Sequence, residues 1–84
     1  MKRRRLLRRL LASPRNVAFT DLQNLMEGFG FRLAPVRGSH HVFSHPDIPE
    51  LINIQEVDGQ AKPYQVRQFL KLVERHDLQL EDDA

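Results

Sequence analysis

The chain has 84 residues, 40% of them hydrophobic and 29% charged. That is one small domain with a thin core, because a chain this short buries only about 60% of its unfolded surface. It has no Cys, which excludes a disulfide framework and a thiolate nucleophile and leaves any zinc site to His and carboxylates. No apolar run approaches the roughly 18 residues of a membrane span, and the basic start, Met1 to Arg9, lacks the apolar stretch of a secretory signal. The expected setting is soluble, reducing and cytoplasmic.

The net charge of +2 hides an uneven distribution. Residues 1–17 hold seven of the 13 Lys and Arg (Lys2, Arg3, Arg4, Arg5, Arg8, Arg9 and Arg15) and no acid. Residues 18–84 hold six basic and 11 acidic side chains, a net of −5. Such a start attracts phosphates, of nucleic acid or of an anionic surface, or serves as an ordinary solvated helix face. The organisation read from this is a basic arm over 1–17, a domain over 18–80 and an acidic tail over 81–84.

Lys2 to Ala12 places Leu6, Leu7, Leu10 and Leu11 on one helical stripe, and Ser13-Pro14 stops it. A second helix is predicted from Thr20, where Thr20 and Gln23 have capping-box spacing. Its apolar face is Leu22, Leu25, Met26 and Phe29, and Gly30 suits the left-handed residue that ends a helix. From Phe31 the period shortens to about two residues. Phe31 to Ala34 reads as a strand closed by Pro35, and His40 to Ser44 as a second. His45-Pro46-Asp47-Ile48-Pro49 reads as a loop, Leu51 to Ile54 as a third strand, and Asp58-Gly59 as the exit turn. A last helix begins at Pro63, with Val66, Phe69, Leu70 and Val73 as its apolar stripe. The fold class is therefore α+β: a helix, a three-stranded antiparallel sheet and a helix, with an extra basic helix in front. Both amphipathic helices share one sheet face and leave the other open for a ligand.

The chemistry concentrates in Arg37-Gly38-Ser39-His40-His41-Val42-Phe43. Side chains alternate along a strand, so His40 and His41 point to opposite faces. Phe43 is a core residue and shares its face with His41, which leaves His40 on the open face with Val42 and Ser44. An imidazole titrates near neutral pH and can take and return a proton, contributing about 10²- to 10⁴-fold in rate. Gly38 lets a phosphate approach the backbone, Ser39 adds a hydroxyl, and Arg37, Lys62 and Arg67 are the candidate cations. For each cation taken singly, solvated surface charge is the commoner role. A metal site from His40, His41 and His45 is disfavoured by the opposed faces of the first two. A Ser39–His nucleophilic pair lacks the strand-turn-helix elbow that would present the serine. Asp47, Glu50, Glu56 and Asp58 show no metal-loop spacing.

Gly30-Phe31-Arg32-Leu33, then Gly38-Ser39-His40-His41-Val42-Phe43 and His45-Pro46, followed by the proline-started helix Lys62 to Leu70, resemble the HicA family of toxins from bacterial toxin–antitoxin pairs. The likeness covers roughly residues 20 to 78. It implies a double-stranded-RNA-binding-domain-like fold and a ribosome-independent mRNA interferase, and the strand scission expected of these residues needs no metal or cofactor. It further implies a catalytic His in the Gly-Ser-His segment, here His40, and a HicB-type antitoxin that covers the site. Some members place the acting His one position later, so His41 is the alternative. Three departures stand out. Pro35 stands where many relatives carry a basic residue, Gln55-Glu56 replaces a common Pro-His pair, and the arginine-rich first helix lies outside the minimal domain, where it could clamp RNA. The rival reading is a non-catalytic RNA-binding module of the same fold, which holds RNA by shape and phosphate contacts. A third is an inactive chain that persists as the antitoxin's partner.

Overall fold

A computed structural model describes residues 2–35, 38 and 40–81. The elements in chain order are α1 (Arg3–Ala12), β1 (Val17–Ala18), α2 (Phe19–Gly28), β2 (Arg32–Leu33), β3 (His40–His45), β4 (Ile48–Val57), β5 (Gln60–Ala61) and α3 (Pro63–Arg75). The strands form one curled antiparallel sheet in the order β1-β5-β4-β3-β2. This is the α+β, double-stranded-RNA-binding-domain-like architecture, with the extra N-terminal helix present.

Each boundary has a local cause. At the end of α2 the Phe31 N–H reaches back to the Met26 carbonyl at 3.0 Å and the Gly30 N–H to Glu27 at 3.0 Å. That is a Schellman turn, and it requires the left-handed backbone that Gly30 adopts at φ 95°. The end of α3 repeats it with Asp77 in the left-handed position, Leu78 N–H bonding to Val73 at 3.0 Å. Between β4 and β5, Asp58 and Gly59 both take positive φ, 52° and 76°. Two such residues make the type I′ turn, whose twist matches that of the strands it joins.

The core gathers Leu22, Leu25, Met26 and Phe29 of α2 with Phe43, Ile52 and Ile54 of the sheet and Val66 and Phe69 of α3. Phe29 and Phe31 each meet Phe69 edge to face at 5.7 Å between centroids, the arrangement aromatic quadrupoles favour. Helix α1 joins this core through Leu6 and Leu10, both buried.

Several expectations are corrected. Among the described residues the sheet has five strands where three are predicted, because β1 and β5 are two residues each and pair only with one another and with the end of β4. Helix α2 starts at Phe19, with Ala18 as its cap residue and so no capping side chain. Thr20 therefore sits inside the first turn, and the Phe19 N–H bonds instead to the Gly59 carbonyl at 2.9 Å. The predicted loop from His45 shrinks to a turn at Pro46-Asp47, since His45 closes β3 and Ile48 opens β4. The buried stripe of α3 is Gln65, Val66, Phe69 and Leu72. Leu70 and Val73 are half-buried, packed against this core while bordering a groove with Leu7 and Leu11 of α1. In α1 the stripe splits, with Leu7 half-buried and Leu11 exposed. Glu81, the first residue of the predicted acidic tail, is tied by its N–H to the Gly28 carbonyl at 2.8 Å. The remainder of the predicted acidic tail, Asp82 to Ala84, lies outside the described residues.

Candidate functional site

Strand β3 brings three histidines into three environments. Its alternation is strict, with His41, Phe43 and His45 buried, His40 and Ser44 exposed and Val42 half-buried. The inward face is fixed by Phe43, which has no exposure at all, so a slip of one residue would put that ring into water. His40 pairs in register with Gln55 and His41 with Ile54.

His40 opens into a cleft of about 330 Å³ formed by the β3–β4 surface and the first turns of α3, with Leu51, Asn53, Gln55, Tyr64, Gln65 and Gln68 as its other walls. The polar groups there other than His40 and Tyr64 are carboxamides, which can donate or accept hydrogen bonds but carry no charge. One of them holds the cleft together. Gln65 is buried, its Nε2 donates to the Asn53 carbonyl at 2.9 Å, and its Oε1 accepts from the Gln55 N–H at 3.0 Å. The side chain thus acts as a short piece of strand against the edge of β4 and fixes α3 beside His40.

His41 packs away from this cleft. Its ring centroid lies 4.2 Å from that of Phe19, and its Nε2 lies 4.0 Å from Glu56 Oε1. His45 is enclosed further along the strand. Its Nε2 faces the Phe29 carbonyl at 2.9 Å, and its Nδ1 accepts the Asp47 N–H at 3.0 Å. A carbonyl can only accept and an N–H can only donate, so the ring carries its proton on Nε2. The same nitrogen lies 2.9 Å from where a side chain on Gly30 would begin, so His45 and Gly30 fit together as a pair. The three rings do not converge, and among the described residues no group of three His, Asp or Glu side chains could hold a metal ion.

The predicted phosphate-binding residues separate. Arg67 lines a second cleft of about 440 Å³, which adjoins the first and shares Leu51, Tyr64 and Gln68 with it. Lys62 is the half-buried residue preceding α3 and lines neither cleft. Gly38 is exposed at φ 61°, with no described atom within 4 Å of where a side chain would begin. Arg37 and Ser39 lie outside the described residues. In the second cleft Glu50 accepts from Arg75 Nη1 at 3.3 Å and pairs with His76 Nε2 at 3.2 Å. The His76 contact is the main cause that holds the Glu50 carboxyl below its ordinary range, against the opposing effect of desolvation.

Residues 19–74, two thirds of the chain, match the family model of the HicA toxin of bacterial toxin–antitoxin. The chain belongs to the HicA toxin family. No curated protein and no solved structure matches it. The span that matches HicA runs from the start of α2 to the last turn of α3, and so contains both walls of the His40 cleft; α1 lies outside it. No helix among the described residues is long and apolar enough to cross a membrane.

Sequence reasoning missed Leu51, Asn53, Tyr64, Gln65 and Gln68 as walls of the site. Only Gln65 left a signal. It stands next to Val66 and four positions before Phe69, so helical periodicity places its carboxamide on the side of α3 that must be buried. A buried carboxamide needs partners, and the nearest backbone is the edge of the sheet. The others are placed by the crossing of α3 over β4, which no local pattern records.

Proposed function

We propose that this HicA-family chain is an endoribonuclease that cuts mRNA in the cytoplasm, without a metal, with His40 as its catalytic base. His40 removes the proton of a ribose 2′-hydroxyl, whose oxygen attacks the adjacent phosphorus. The bond to the 5′ oxygen breaks, that oxygen takes a proton from water while His40 gives its own up to solvent, and the products carry a cyclic phosphate and a 5′-hydroxyl. Arg37, Lys62 and the Gly38-Ser39 backbone hold the charge of that phosphate, and Arg67 that of a neighbouring one. A HicB-type antitoxin neutralises the toxin by covering this cleft. The supporting observation is the contrast within β3: His40 is exposed in an open cleft of about 330 Å³, while its neighbour His41 is packed against Phe19.

The test is cleavage of a long RNA by purified protein in EDTA beside His40→Ala. The expected result is cutting by the wild type and at least about a hundredfold loss in the variant. Cutting that survives His40→Ala but not His41→Ala would move the role one residue along the strand. A folded protein that binds RNA and never cuts it is the binding module instead, a reading favoured by the carboxamide-rich walls of the cleft.

A further inference from the structure

Tyr64 and Leu51 are large hydrophobic side chains that the fold leaves 56% and 63% exposed. They stand together, Tyr64 in the first turn of α3 and Leu51 on β4, and both border the His40 cleft and its neighbour. Gln68, one turn after Tyr64, borders both as well. Apolar side chains grouped in this way and rimmed by polar groups mark a place where a ligand binds. A saddle with polar clefts on either side suits a flat ligand that is apolar on its faces and polar at its edges. Beyond the saddle, Arg67 and Lys71 lie one turn apart on α3 and line the second cleft. Residues four apart rise about 6 Å along a helix, a step comparable with that between successive phosphates of an extended strand. Arg75, a further turn on, lines the same cleft but already answers Glu50, while Glu74 does not line it and meets Arg67 and Lys71 in the groove beside Leu7 and Leu11. Among the described residues, Arg67 and Lys71 are thus the cations next to the saddle.

We infer that Tyr64 and Leu51 form a nucleobase-stacking subsite that takes one unpaired base of a single-stranded nucleic acid beside His40, with Arg67 and Lys71 carrying the phosphates that follow it. This rests on reading the His40 cleft as an RNA site. An aromatic ring next to cations is the arrangement that binds unpaired bases without regard to sequence. The subsite fixes which phosphate of a strand lies at His40, because a base seated on Tyr64 sets the register of its neighbours. It admits single strands and excludes a base that is stacked in a duplex.

The experiment is binding of a ten-nucleotide DNA strand, which lacks the attacking hydroxyl and survives the assay, and of the same strand made abasic. Wild type, Tyr64→Ala and Tyr64→Phe are compared, with cleavage of RNA measured in parallel. The expected result is about tenfold weaker binding of the normal strand by Tyr64→Ala, binding by Tyr64→Phe within about twofold of wild type, and no difference among the three on the abasic strand. Arg67→Gln and Lys71→Gln each reduce the slope of log affinity against log salt by about one. Binding by Tyr64→Ala that equals wild type overturns the subsite, as does failure of the wild type to bind the strand at low salt. Loss of binding or cutting by Tyr64→Phe as large as by Tyr64→Ala overturns stacking in favour of the hydroxyl. Tyr64→Ala that weakens only the antitoxin overturns it too, and shows a protein-binding face instead. Base-dependent binding in a protein that never cuts RNA would sink the nuclease reading and leave the subsite standing. Cutting indifferent to Tyr64 would do the reverse.

Discussion

At one end of β3 the His40 ring stands in an open cleft walled by side-chain amides. At the other end the His45 ring is enclosed, with the Phe29 carbonyl on one nitrogen, the Asp47 N–H on the other and the Phe31 ring 5.1 Å from its centre. The two side chains are chemically identical and five residues apart on one strand. What separates them is whether their nitrogens are engaged in holding the fold. An imidazole whose two nitrogens are both satisfied serves the fold; one facing solvent at a cleft is available to a substrate.

Alanine at each position should produce opposite losses. His45→Ala orphans a buried carbonyl and a backbone N–H and removes packing against Phe31. The expected cost is about 2–4 kcal/mol of stability, read as a fall in thermal midpoint. RNA cutting per folded molecule is retained. His40→Ala should change stability by no more than about 0.5 kcal/mol while abolishing cutting. If His45→Ala melts like the wild type, or His40→Ala unfolds the protein, the division of labour along β3 is wrong.

Gln65→Ala probes the same division from the opposite wall. It removes both bonds to the edge of β4 and is expected to cost about 1–3 kcal/mol in a urea titration. Cutting should fall further than the lost stability explains, since Asn53 and Gln55 line the His40 cleft. A drop in stability with unchanged cutting per folded molecule would show that the cleft tolerates a loose wall.

A slighter change is expected at Glu50. Its folded pKa is lowered from an ordinary value of 4.5, chiefly by the His76 contact. A lowered carboxylate pKa stabilises the fold above the unfolded value, and that contribution is lost as pH falls through the folded one. Glu50→Gln should therefore shift the urea midpoint slightly downward at pH 7, and the shift should fade as the buffer is made acidic. A shift that persists undiminished in acid would assign the loss to packing.

Features set by short-range backbone rules can be read from the sequence. The α2 stripe ending at Gly30, the Asp58-Gly59 turn and the opposed faces of His40 and His41 are of this kind. The two-residue strands β1 and β5 are not, because two residues cannot display an alternation. Thr20 and Gln23 offer a helix start that the chain does not use: β1 runs straight into α2, and a buried Phe19 takes the position before the expected cap. At the site, strand alternation gives the direction of His40 but not its surroundings. Tyr64 and Leu51 are 13 residues apart in the chain, and they meet only because α3 crosses the edge of β4.

The start of α1 and the segment after α3 cross at one glycine. Arg3 and Leu80 both press on the space over Gly28, where a methyl group would lie 2.6 Å from Arg3 Cδ and 2.8 Å from Leu80 Cδ1. Arg3 also donates to Asn24 at 3.1 Å and to the Glu81 carbonyl at 3.4 Å. The path of the backbone from residue 2 to residue 81 is therefore nearly a closed ring. A short peptide link between those two positions would leave α1 and α3 undisturbed, and a new opening could be cut elsewhere. Such a circular permutant, opened at the exposed Asp58-Gly59 turn, would keep β3 and β4 on one uninterrupted run of chain.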